Sequence, residues 1–141
     1  MLDGLKVIEI EGIGPGPFAA MMLADLGANV TVVHREDVPI EGMTEKSLLD
    51  RGKKSVLLNL KTDEGKACVR ELIKTADVLI EGLRPGAMEK LGLGPVDLHE
   101  INPALVYGRV TGWGQSGPRA QQAGHDLNYI ALSGALWYAS P

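Results

Sequence analysis

One cysteine stands among 141 residues, Cys68, so the chain has no internal disulfide framework to draw on and reads as a protein of a reducing compartment. Aromatic residues are almost as scarce, at 4%, which disfavours an aromatic-rich β-sandwich. Long apolar runs are missing as well. The longest, Phe18 to Ala24, falls far short of the roughly 20 residues that a membrane-spanning helix needs. The first residues lack the basic segment and apolar stretch of a secretory signal. A cytoplasmic location without a membrane span is the expectation. Positive charge is not in excess either: the net charge of −4 argues against nucleic acid as the main partner.

What the chain does have is glycine, 18 residues of it, and a 45% hydrophobic content sufficient to bury the core of one domain. The apolar pattern alternates between strand and helix periods. Lys6–Ile10 reads as a strand, and Pro17 opens a helix to about Leu26, with Gly27 as its stop. Asn29–His34 is a second strand, and Arg35 to about Asp50 is polar and irregular. Lys54–Leu60 is a third strand, followed by a helix from Asp63 to Ala76 capped by Thr62. Cys68, Val69, Leu72, Ile73 and Ala76 form the apolar stripe of that helix, which makes Cys68 a core residue. Asp77–Glu81 is a fourth strand, and short helices open at Pro85 and Pro95. Ala104–Val110 is a fifth strand, and His125 to about Tyr138 reads as a single helix. The fold class is α/β: a Rossmann-like parallel sheet with helices on both faces and right-handed crossovers.

The turn after the first strand poses a question. Gly14-Pro15-Gly16-Pro17-Phe18-Ala19 satisfies the dinucleotide spacing G-x-G-x-x-A, and Glu36 stands near the position of a ribose-binding acid. A pyrophosphate is held there by backbone N–H groups, and Pro15 and Pro17 each remove one. Nicotinamide binding and a tight turn that packs the helix close to the sheet both remain open on these residues.

In a parallel sheet, ligands bind beyond the carboxyl ends of the strands. Glu11 and the Gly-rich turn follow the first strand, Arg35 the second, Lys61 the third, and Glu81 to Arg84 the fourth. The segment holding His125 comes after the fifth. Three cations and a histidine are therefore expected on one rim, which fits an anionic ligand. Arg51, Lys53, Lys54 and Lys61 also cluster in sequence, either as a solvated face or as part of an anion site.

Five ordered motifs, GIGPGPFAAMMLADLGANV, RGKKSVLLNLKTDEGK, ADVLIEGLRPGAMEKLGLGP, NPALVYGRVTGWGQSGP and AGHDLNYIALSG, closely resemble α-methylacyl-CoA racemases of the family III CoA-transferase superfamily. The resemblance runs from Leu2 to about Trp137. It implies that residues 1–141 are the N-terminal, coenzyme-A-binding portion of a Rossmann-like domain, with the remainder of the family chain absent. It also implies an acyl-CoA thioester as substrate, not a dinucleotide. Coenzyme A then arrives as part of the substrate, and neither a separate cofactor nor a metal is expected. The implied contacts are Arg35; Leu58, Asn59, Leu60 and Lys61; Gly82, Leu83 and Arg84; and the segment Gly124, His125, Asp126, Leu127, Asn128 and Tyr129. Lys90 joins them, with lysine where relatives often carry arginine and without the planar fork.

Histidine in Gly124-His125-Asp126 is the racemase form of the motif, where CoA-transferases usually carry tyrosine or phenylalanine. The resemblance makes His125 the base that removes the α-proton, and a helix N-terminus favours the neutral imidazole that a base requires. The second acid, an aspartate, is expected beyond residue 141. Asp126 reads instead as a helix cap or as a residue that orients the imidazole. At full length the family pattern implies an interlocked homodimer. Alternatives are a CoA-transferase moving coenzyme A between carboxylic acids, and a non-catalytic CoA-binding or assembly fragment.

Overall fold

The computed structural model describes residues 1–35 and 47–139. They fall into two compact units, Met1–Val110 and Thr111–Pro141. Glu36 lies outside the described residues, as does most of the polar stretch before Asp50.

The first unit holds five strands: β1 (Lys6–Ile10), β2 (Asn29–Arg35), β3 (Lys54–Leu58), β4 (Val78–Glu81) and β5 (Val106–Arg109). All neighbours are parallel, in the order β3-β2-β1-β4-β5. The chain leaves β1 toward β2 and β3, then returns to place β4 on the other side of β1. The reversal point therefore lies between β1 and β4, and every carboxyl end points to the same edge.

The sheet is covered on both faces because its strands alternate two apolar sets. Val7, Val30 and Ile80 pack with Ala20 of α1 (Pro15–Asp25) on one side. Ile8, Ile10, Val33 and Leu79 pack on the other side with Val69 and Ile73 of α2 (Asp63–Ile73), Met88 of α3 (Ala87–Lys90) and Leu98 of α4 (Pro95–Ile101). Thr62 caps α2 by accepting from Gly65 N–H at 3.1 Å. Gly65 in turn packs on the Asn59 carbonyl so closely that no β-carbon fits there. Asn102 closes the other end of α2, its Nδ2 donating to the carbonyls of Ile73 and Ala76 at 2.9 and 2.7 Å.

Two expectations from the apolar pattern need correction. Cys68 is exposed: Val69, Ile73 and Ala76 form the buried line, Leu72 flanks it half-buried, and Cys68 sits one turn before Leu72 where the sheet no longer covers it. The last helix is two helices, α5 (Asp126–Ser133) and α6 (Ala135–Tyr138), because Gly134 adopts the left-handed conformation with φ 80°. The second unit consists of these helices and the loop that precedes them.

Candidate functional site

The carboxyl edge of the first unit is built by two acids as much as by its cations. Glu11 follows β1 and accepts from the Arg35 backbone N–H at 2.9 Å, while His34 Nδ1 lies 3.0 Å from its other oxygen. Burial would push the Glu11 carboxyl up, but the Arg35 N–H, the His34 ring and their charges outweigh it and hold it below its ordinary value. Arg35 ends β2 with its side chain half exposed and Nε 3.6 Å from Glu11. Arg35 is in register with Leu58 of β3, so the Leu58–Lys61 segment leaves the sheet beside it.

Within that segment the roles divide. Asn59 Oδ1 accepts from Lys61 N–H at 3.0 Å and its carbonyl accepts from Thr62, which fixes the turn. Lys61 is exposed, whereas the Leu60 side chain is buried in the core. Leu60 can therefore offer a ligand only its backbone. On the far side of β1, Glu81 ends β4 with its side chain 1% exposed. It accepts from Leu83 N–H at 2.7 Å and from Arg109 Nε at 2.9 Å. Gly82 and Arg84 are exposed, and Leu83 packs half-buried against the core. Lys90 is exposed at the end of α3.

The Gly-rich turn is a poor cradle for a pyrophosphate. Gly14 caps α1 with φ 73°, a conformation that requires glycine, and no side chain caps the helix. Phe18 N–H already donates to the Gly14 carbonyl, and Pro15 and Pro17 have no N–H to give. Gly16 is not needed for close packing, since a β-carbon there would meet Val110 at an ordinary 3.9 Å. The turn is shaped by backbone conformation at Gly14, not by a close helix–sheet approach at Gly16.

The basic cluster of the sequence disperses. Arg51 pairs with Asp25 on α1. Lys53 is buried, its Nζ 2.6 Å from Glu9 and 2.9 Å from the Pro17 carbonyl. Lys54 and Lys61 lie at opposite ends of β3. Only Lys61 of the four stands at the carboxyl edge.

In the second unit, His125 is exposed and occupies the N-cap of α5. Its carbonyl accepts from the N–H groups of Asn128 and Tyr129, and its own N–H donates to Asn128 Oδ1 at 2.9 Å. Of the two roles expected for Asp126, helix cap or orienter of the imidazole, the capping contact is made by Asn128 instead, and Asp126 is the first helical residue. There its negative charge favours the helix N-terminus. The Tyr129 hydroxyl lies where β-carbons on Gly112 and Gly124 would stand, so a larger residue at either position has to displace that ring. The Trp113 ring packs tilted against Tyr129, with centroids 5.2 Å apart and planes at 56°, and Arg119 lies over the Trp113 ring at 5.4 Å. These contacts fix the frame of the GHD segment. Leu127 is 67% exposed.

The model of the family described as CoA-transferase family III matches residues 2–141. The chain belongs to CoA-transferase family III. It is 50% identical over 135 residues to human alpha-methylacyl-CoA racemase, covering 96% of this chain and 34% of the relative. It is 36% identical over 151 residues to human succinyl-CoA:glutarate CoA-transferase, covering 99% of this chain and 34% of that protein. Among solved structures, the hypothetical protein Rv3272 of Mycobacterium tuberculosis superposes with a TM-score of 0.84 at 41% identity, over 95% of this chain and 40% of that one. The chain thus spans about a third of the length of the curated relatives it matches. As a member of this family it carries a Rossmann-like sheet, and among the described residues no helix is long and apolar enough to cross a membrane.

The sequence places Glu11 and Glu81 at the strand ends but does not reveal their partners, Arg35 and His34 for the first and Arg109 for the second. The available signal was an acid directly at or after an apolar strand, Glu81 closing β4 and Glu11 following β1.

Proposed function

We propose that this chain binds acyl-CoA thioesters and serves inversion of the α-carbon of 2-methylacyl-CoA substrates. His125 in the Gly124-His125-Asp126 motif is the observation that carries this reading. The greater identity to the human racemase than to the human CoA-transferase, 50% against 36%, supports it. The exposed cations Arg35, Lys61, Arg84 and Lys90 meet the ligand's phosphates in this reading. The backbone of Gly82 and Leu60 contributes polar contacts that do not depend on side chains.

His125 removes the α-proton, the electron pair moves to the thioester oxygen as an enolate, and return of a proton to the opposite face completes inversion. An oxyanion of this kind is stabilised by backbone N–H groups or a helix N-terminus. The second proton donor is the downstream aspartate of the family pattern. The full-length protein acts as a homodimer in this reading.

Deuterium wash-in at the α-carbon of a single 2-methylacyl-CoA enantiomer tests the proposal. His125→Ala in the active protein is expected to lower wash-in by about 10²–10⁴, the usual worth of a positioned general base, while coenzyme A binding persists. Wash-in at the wild-type rate in that variant would overturn the assignment. Transfer of coenzyme A to an added carboxylic acid, without α-exchange, would favour a CoA-transferase instead.

A further inference from the structure

Arg109 is held by several partners at the carboxyl edge. Its Nε donates to Glu81 at 2.9 Å, its Nη1 and Nη2 lie 2.8 and 3.1 Å from the Glu89 carboxylate, and its plane rests on the Tyr107 ring at 5.6 Å. Tyr107 is itself anchored, its hydroxyl donating to the Leu93 carbonyl at 2.9 Å. Both Glu81 oxygens are used, one on Arg109 and the other on Leu83 N–H. Glu89 belongs to α3, next to Lys90. One guanidinium thus ties together the end of β5, the turn after β4 and α3. Stability alone does not call for this arrangement, since apolar residues of similar volume commonly replace a buried ion pair without loss. Fixed geometry does call for it, because a planar fork holds two carboxylates in set directions.

We propose that Arg109, acting through Glu81 and Glu89, is a positioning residue that fixes the spacing between the Gly82–Arg84 turn and α3, so that Arg84 and Lys90 are in place before an anionic ligand arrives. The identity of that ligand as coenzyme A rests on the reading above. The benefit is pre-organisation: the backbone segments that carry Arg84 and Lys90 are already held and do not have to be ordered on binding.

Three variants test it on the full protein, with coenzyme A titrated calorimetrically and amide exchange followed by NMR. Arg109→Lys and Glu89→Gln are each expected to weaken coenzyme A binding about three- to tenfold, with the melting temperature of Glu89→Gln nearly unchanged because Glu89 is 44% exposed. In a Lys90→Met background the Glu89→Gln effect should disappear, a coupling that a merely structural role would not produce. Glu81→Gln should speed exchange of the Leu83 amide. Unchanged affinity in both Arg109→Lys and Glu89→Gln would overturn the proposal, as would additivity of Glu89→Gln with Lys90→Met. If Glu81→Gln does not fold, those variants decide the matter. A wild-type protein that binds no coenzyme A removes the ligand reading. In that event, faster Leu83 exchange in Glu81→Gln still supports the tether, and unchanged exchange overturns it.

Discussion

Glu9 sits between Ile8 and Ile10 on a central strand, with its side chain 3% exposed, and meets a lysine 1% exposed at 2.6 Å. Burial pushes the Glu9 carboxyl up, against the pull of the Lys53 hydrogen bond and charge. Removing one partner leaves the other buried and uncompensated, which typically costs about 3–5 kcal/mol. Lys53→Met is therefore expected to destabilise the protein by about that amount, read from urea denaturation. Glu9→Met combined with Lys53→Met should recover most of it. A double variant as unstable as the single one would mean that the Pro17 carbonyl, also held by Lys53, is the contact that matters. A second residue-scale outcome follows from Tyr129. Gly124→Ala has to displace its ring, and the resulting loss of the tilted ring contact with Trp113 should shift tryptophan fluorescence. An unshifted spectrum would mean that the ring has free space to move into.

At the scale of elements, the carboxylates at strand ends make the edge sensitive to acid. Burial raises the Glu11 carboxyl, but the Arg35 N–H and the His34 ring outweigh it and hold it below the ordinary 4.5. A group whose folded pKa is lowered contributes stability above its unfolded value and loses it as pH falls through the folded one. The melting temperature should therefore decline as pH drops below about 4.5, and Glu11→Gln should make that decline shallower. An identical profile in the variant would remove Glu11 from the account. The elements themselves were largely legible in the sequence. All five strands were expected with ends within two residues of those observed, because each is a short apolar run between helical periods. The third was expected to run to Leu60, but the chain already turns after Leu58. Single-helix periodicity did not reveal how far the sheet extends over α2, and so Cys68 was placed in the core. The break at Gly134 was legible as a glycine but not as a left-handed one. The pairs Glu9–Lys53 and Glu81–Arg109 join residues 44 and 28 positions apart, a distance that local pattern does not cross.

At the scale of the whole molecule, charge sets up a conflict that salt can resolve. The net charge of −4 repels a polyphosphate ligand, while Arg35, Lys61, Arg84 and Lys90 attract it in the proposed reading. The two effects differ in range. Repulsion comes from acids spread over the surface and is largely screened at about 0.1 M salt, where the Debye length is about 10 Å. Attraction comes from cations in contact with the phosphates and persists to higher ionic strength. Between about 0.01 and 0.1 M the two terms should partly cancel, leaving a shallow dependence of coenzyme A affinity on salt. Above about 0.1 M only the attraction remains to be screened, and affinity should fall steadily. Charge reversal at one cation, Arg35→Glu or Lys61→Glu, should weaken binding at low salt by more than tenfold and flatten the fall above 0.1 M, as roughly expected for a contact charge turned repulsive. Affinity that rises with salt throughout, or that ignores both reversals, would place the ligand's phosphates away from this edge.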